Sequence, residues 1–261
     1  MTGKVYLVGA GPGDPELLTV RAHNLLRRAD LVLHDDLNPP AILALAGPQA
    51  AVENVGKRCG KKGVAQEQIN ARMIEAARRG QEVVRLKSGD PGIFGRLAEE
   101  IDALEAAAIP YEVVPGITAG IAAAAAMSAS LTDRRKTSRV ILVSGHRATK
   151  GEPHEKTNWK ALAAEDATLV IYMPGNNFAG LRDELLAAGL DTGTPAVLVS
   201  RAATPQQQHG STTLGALDQL PTLESPAILL IGRSLAGVHQ RLSAEILALA
   251  LDETGARVSP L

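Results

Sequence analysis

The stretch from Val83 to Glu100, VVRLKSGDPGIFGRLAEE, is the tightest constraint in this chain, because it sets a strand, a glycine loop and a helix start in direct succession. Val83, Val84 and Leu86 form a short apolar, β-branched run, and Ser88-Gly-Asp-Pro-Gly92 cannot prolong it, since glycine is permissive and proline lacks a donor. The strand must end near Lys87. Beyond the loop, Phe94, Leu97, Ile101, Leu104 and Ala108 recur at helical steps, which predicts one apolar face with Arg96, Glu99 and Glu100 off it, solvated or available for chemistry. In open α/β sheets, ligands bind at the carboxyl ends of strands, where a glycine turn lets backbone approach them. A connecting turn capped by Asp90 is the structural alternative.

The same order opens the chain. Val5-Tyr-Leu-Val8 runs into Gly9-Ala-Gly-Pro-Gly-Asp-Pro15 and then an amphipathic stretch from Glu16 to Ala29. The glycine spacing misses the dinucleotide fingerprint by one place, Pro12 removes an amide that a pyrophosphate would use, and Asp14 would repel the phosphate. The loop therefore suits a ligand without phosphate. Leu31-Val-Leu33 leads into His34-Asp-Asp-Leu37, two adjacent carboxylates at a strand end, before Asn38-Pro-Pro40 forces a turn. A helix near Ala41–Ala46 and an apolar stretch near Ala51–Val55 precede Gly56-Lys-Arg-Cys-Gly-Lys-Lys-Gly63, a basic loop that is either solvated or a local attractor of anions. A helix over Gln66–Arg79 closes at Gly80, Tyr111–Val114 is a further strand, and Pro115-Gly-Ile-Thr118 turns into an alanine helix over Ala119–Met127.

The polar run Thr132–Ser138 marks the expected boundary, giving an N-terminal α/β domain over 1–135 and a C-terminal α/β domain over 136–261. In the second, Val140–Val143, Thr168–Met173, Ala196–Val199 and Ala227–Ile231 read as strands. Helices are expected near Trp159–Ala164, Phe178–Ala188 and Val238–Leu251, and Gln207–Leu214 reads as an antiparallel strand. Strands alternating with helices predict mainly parallel sheet in each half, the second made mixed by the Gln207 segment.

Composition narrows the function. With 261 residues and 45% hydrophobic content the chain can bury a real core, while 2% aromatics and a net charge of -1 argue against a nucleic-acid platform. The single cysteine, Cys59, excludes an internal disulfide and a cysteine metal cluster; with no signal-peptide core after Met1 and no apolar run long enough for a bilayer, a cytoplasmic protein is expected.

The motifs resemble, together and in order, those of the tetrapyrrole methylases. The matching pieces are the Val5–Thr19 segment, Asp35-x-Leu37, Val55-Gly-Lys-Arg58, Leu86–Arg96 with Glu99-Glu100, Val114–Thr118 and Ile171-Tyr-Met173. The resemblance implies two α/β domains with S-adenosylmethionine in the cleft between them, a homodimer, and two methyl transfers to uroporphyrinogen III that yield precorrin-2 for siroheme, cobalamin or heme d1. It implies cofactor contacts at Pro12, Ser88, Gly89, Asp90, Ile93, Thr118, Ala119, Met173 and Ala202, with Asp35 as base, Lys57 as acid and Arg96 at the reacting centre. Arg96, Glu99, Arg134 and Arg58 are the implied substrate contacts, suited to a ligand bearing carboxylates. A related methyltransferase acting on a later cobalamin precursor, or a tetrapyrrole-binding paralogue without turnover, is the alternative. The chain departs from the family pattern at His34, Ser88, Leu97, Asp133 and Ala202; Asp133 adds a negative charge where an anionic substrate is expected.

Overall fold

A computed structural model describes residues 2–56, 65–145 and 157–253. Backbone contacts divide the chain into Met1–Ala122 with Ala203–Pro205, and Ala123–Ala202 with Gln206–Leu261. The division falls inside the alanine helix, α5 (Ala119–Ala126), upstream of the expected 135/136 boundary, at a point where composition does not change.

The first unit carries β1 (Val5–Gly9), β2 (Leu31–His34), β3 (Ala51–Asn54), β4 (Val83–Lys87) and β5 (Tyr111–Val114). They lie in the order β3-β2-β4-β1-β5, and every pairing is parallel. All carboxyl ends therefore share one edge. Because side chains alternate along a strand, Val5, Leu7, Leu31, Leu33 and Val83 face one layer, and Tyr6, Val8, Val32, Val84 and Leu86 the other. The first layer is closed by Ile69, Met73, Ala76 and Ala77 of α3 (Gln66–Arg78) and Leu104 of α4 (Leu97–Ala106). The second is closed by Ala22, Leu25 and Leu26 of α1 (Val20–Arg28) and Ile42 of α2 (Pro40–Leu43). Each fully buried leucine contributes about 1.5 to 3 kcal/mol of hydrophobic stabilisation.

The helix expected from Glu16 is broken: a short 3-10 turn over Pro15–Leu17, capped by Asp14, precedes α1, whose first turn is capped by the Thr19 hydroxyl accepting from Ala22 N at 3.1 Å. Two adjacent side-chain caps set two starts, and the chain turns between them.

The second unit holds β6 (Arg139–Ser144), β7 (Ala167–Tyr172), β8 (Pro195–Ser200), β9 (Gln208–Thr213) and β10 (Ala227–Ile231) in the order β6-β7-β10-β8-β9. The expectation of a mainly parallel sheet fails here. Only β6 and β7 pair parallel; β10 runs antiparallel to both β7 and β8, and β9 antiparallel to β8. An apolar run such as Ala227–Ile231 signals burial and carries no direction. The core packs Trp159 of α6 (Trp159–Leu162) and Phe178 and Leu185 of α7 (Phe178–Ala187) against Leu169, Ile171, Leu198 and Leu229. The chain continues into α8 (Ala236–Glu253). No described helix is long and apolar enough to cross a membrane.

Candidate active site

The glycine loops meet at the carboxyl edge of the first sheet. Ala10 N donates to Lys87 O at 2.8 Å, and Gly11 and Gly89 exchange backbone bonds of 3.1 and 2.8 Å. Both glycines adopt left-handed φ, 68° and 70°, which L residues rarely adopt. A Cβ on Gly116 would stand 2.3 Å from Gly89 O, and one on Gly9 would stand 2.5 Å from Gly116 N. The loops after β1, β4 and β5 thus touch backbone to backbone, with no room for a methyl. Asp90 ties two of them: Oδ1 accepts from Gly92 N at 2.8 Å and Oδ2 from Gly116 N at 3.0 Å. The capping alternative for Asp90 is therefore present in the structure. Pro12, Ser88, Asp90, Ile93, Thr118 and Ala119 surround this cluster half-buried, and Gly89 is buried within it.

The carboxylates after β2 separate in role. Asp36 accepts from Asn54 Nδ2 at 2.7 Å on the exposed side, whereas Asp35 Oδ1 takes Arg85 Nη2 at 2.6 Å. Asp35 keeps 31% of its side chain exposed while that of Arg85 keeps 3%. The guanidinium also donates through Nε to Glu100 Oε1 at 3.0 Å, and Glu100 receives Lys87 Nζ at 2.9 and 3.0 Å and Gln66 Nε2 at 3.2 Å. Two cations and two anions thus alternate as Asp35, Arg85, Glu100, Lys87. Burial works against the Arg85 charge, but Asp35 and Glu100 outweigh it and hold the group above its ordinary range. At Lys87 burial leads and Arg85 adds to it, so the ammonium is pushed down despite Glu100.

This network corrects the sequence reading. Glu100, expected off the apolar face, is fully buried, and Phe94, expected on it, is 47% exposed and precedes the helix with φ 54°. Arg85 and Lys87 were overlooked. Their signal was available: cations at alternate positions of a buried strand face one layer, and Glu100 shares the helix side of Leu97 and Leu104.

Arg96 stands at the start of α4 with φ 56°, and its Nε donates to Glu99 at 2.7 Å in an exposed pair. Both implied substrate contacts are therefore neighbours, each about half exposed. Lys57 and Arg58 lie outside the described residues. In the second unit Arg134 is exposed, and Asp133 accepts from Arg135 N at 3.0 Å and from its guanidinium at 2.9 Å. These bonds hold the Asp133 carboxyl down at about 2. The added negative charge thus has a cation bound to it. Met173, exposed and at φ 49°, follows β7, and buried Ala202 follows β8; those strands end at one edge, since both run opposite to β10.

An α/β protein with its candidate chemistry on the carboxyl edge of a parallel sheet defines a ligand-handling enzyme fold. The family described as Tetrapyrrole (Corrin/Porphyrin) Methylases matches residues 4–218. A siroheme synthase of Zymomonas mobilis is 44% identical over 92% of this chain and 50% of its own length, so the chain spans about half of such relatives. A uroporphyrinogen-III C-methyltransferase of Synechocystis is 43% identical, covering 93% of this chain and 94% of the relative. Among solved structures, uroporphyrin-III C-methyl transferase from Thermus thermophilus, complexed with S-adenyl homocysteine, gives a TM-score of 0.75 at 37% identity over 89% of this chain and 99% of the other. A cobalt precorrin-4 methyltransferase gives 0.77 at 33% identity over 89% and 95%. The chain belongs to the tetrapyrrole methylase family.

Proposed function

We propose that this chain binds S-adenosylmethionine and methylates uroporphyrinogen III twice, through precorrin-1 to precorrin-2. The observation that carries the reading is Asp35, half-open at the carboxyl edge with one oxygen anchored on a buried arginine, in a chain 43% identical to a uroporphyrinogen-III C-methyltransferase. The glycine cluster fits the cofactor's chemistry. Loops joined by backbone, with no cation among Gly9–Pro15, Ser88–Ile93 and Pro115–Ala119, offer carbonyls and hydroxyls to a sulfonium, an ammonium and a ribose. Pro12, Ser88, Gly89, Asp90, Ile93, Thr118 and Ala119 are the proposed contacts in the first unit; Met173 and Ala202 are those of the second.

The bound cofactor supplies an electrophilic methyl group. Asp35 takes the proton that the methylated carbon must lose, and Oδ2 is the accepting atom, because Oδ1 is bonded to Arg85. Lys57 is proposed as the acid, and Arg96, Glu99, Arg134 and Arg58 as the groups that orient the substrate carboxylates, directly or through their ion pairs. A homodimer is the proposed assembly, read by sedimentation. The test is anaerobic incubation of uroporphyrinogen III with the protein and S-adenosylmethionine, followed by mass spectrometry. Two added methyl groups are expected. None, with methylation of a later cobalamin precursor instead, would overturn the assignment of substrate.

A further inference from the structure

We infer that Arg85, braced by Glu100 and Lys87, is a positioning residue that aims the Asp35 carboxylate. The inference rests on the proposed role of Asp35 and extends it to buried residues behind it. Asp35 lies just beyond the end of β2, followed by Asp36, Leu37 and the Asn38-Pro-Pro40 turn, and its backbone is shared with that turn: Asn38 Nδ2 donates to Asp35 O at 3.3 Å. A carboxylate in such a place has rotamers to choose from, and a bond from a rigid donor selects one. Arg85 is that donor, since its guanidinium is planar, nearly inaccessible and held at both ends of its fork.

The far end of the fork explains why the guanidinium stays put. Nε is engaged by Glu100, and Nη1 reaches Leu33 O and Leu86 O at 3.4 Å, the carbonyls of β2 and of its own strand. Glu100 is in turn gripped by Lys87 from the same strand face and by Gln66 from α3. A hydrogen bond to Asp35 alone would need only a surface lysine or arginine. Two buried cations and a fully buried carboxylate, which are costly to desolvate, form a strut running from α4 through β4 to the end of β2. Glu100 follows Glu99, the partner of Arg96, so the same strut sets the start of α4 relative to Asp35.

The test uses the full-length protein. Arg85→Lys keeps the charge but cannot bridge Asp35 and Glu100 with one planar group, and Arg85→Leu/Glu100→Gln removes one charge of each sign so that no new net charge is buried. Expected for both is S-adenosylhomocysteine affinity equal to wild type by calorimetry, an unchanged KM for uroporphyrinogen III, and a kcat lower by about a hundredfold, the scale of an ångström-sized misplacement. In an Asp35→Asn background the same changes should cost nothing further, because a residue that acts through Asp35 has nothing left to aim. Wild-type kcat in Arg85→Lys, or a loss that adds fully to that of Asp35→Asn, overturns the inference while leaving the methyltransferase assignment intact. If wild type itself fails to methylate uroporphyrinogen III, the assignment falls and the crystal structure of Arg85→Lys decides: a displaced Asp35 carboxylate supports the strut, an unmoved one refutes it.

Discussion

Replacing Glu100 by leucine isolates the energetics of the buried charges. The carboxylate is fully enclosed and accepts from Arg85 at 3.0 Å, from Lys87 at 2.9 and 3.0 Å and from Gln66 at 3.2 Å. Without it Arg85 keeps only the partly solvated Asp35 as a bonded anion and Lys87 keeps none of those it is bonded to here. Breaking a buried pair by removing one partner costs about 3 to 5 kcal/mol, mostly the penalty for an uncompensated charge. For a protein of this size that is a fall in Tm of about 6 to 20 °C. Lys87 can relieve part of it by shedding its proton. Its folded-state pKa is already lowered by burial and Arg85, so the unfolded chain binds more protons than the folded one between that lowered value and the ordinary lysine range. Stability contributed by this group therefore rises with pH across that window, and the deficit of Glu100→Leu shrinks as pH rises through it. Urea unfolding followed by circular dichroism, at neutral and alkaline pH, measures both effects. Lys87→Met/Glu100→Leu removes one charge of each sign and should recover most of the loss. A single variant within about 1 kcal/mol of wild type, the range of a surface pair, or a double variant no better than the single, would refute the reasoning.

Other outcomes follow from the site. Arg96→Leu deletes an exposed pair worth about 0 to 1 kcal/mol, so unfolding should barely change while methyl transfer to uroporphyrinogen III is nearly lost; near-normal product by mass spectrometry would remove Arg96 from the substrate site. Asp90→Asn presents an amide N–H₂ to Gly92 N or Gly116 N, and S-adenosylhomocysteine binding should weaken by about 1.5 to 3 kcal/mol, one to two decades, in calorimetry. Gly116→Ala sets a methyl against Gly89 O, so the loops must part and cofactor affinity should collapse, whereas Gly237→Ala in α8, with nothing near its Cβ and no left-handed φ, should leave it intact. Asp133 should titrate at about 2 in a carbon-detected NMR titration and return towards 3.8 in Arg135→Ala; because its folded value is depressed, the turn's contribution is present above 3.8 and lost as pH falls through about 2.

Local features determined much of this protein in advance. Val5–Val8 is apolar on both faces and Val83–Leu86 is apolar but for Arg85, so they had to be inner strands between helices, and Gly9, Gly11, Gly89 and Gly116 marked loops that needed backbone without side chains. Those signals act over a few residues through sterics and periodicity, and with Asp35 they point to the carboxyl edge of the first unit as the candidate site. Direction and partnership were beyond them. That β10 runs against β7 and β8 depends on which strands flank it, and no property of Ala227–Ile231 encodes that. Glu100 is buried because Arg85 and Lys87, more than a dozen residues earlier, reach the same layer from β4; alone, a glutamate beside Glu99 reads as solvated surface. Likewise the charge of Asp133 is paired only because the turn brings Arg135 onto it. Electrostatic pairing is a property of distances between residues remote in the chain or turned back on themselves, and those distances exist only once the chain has folded.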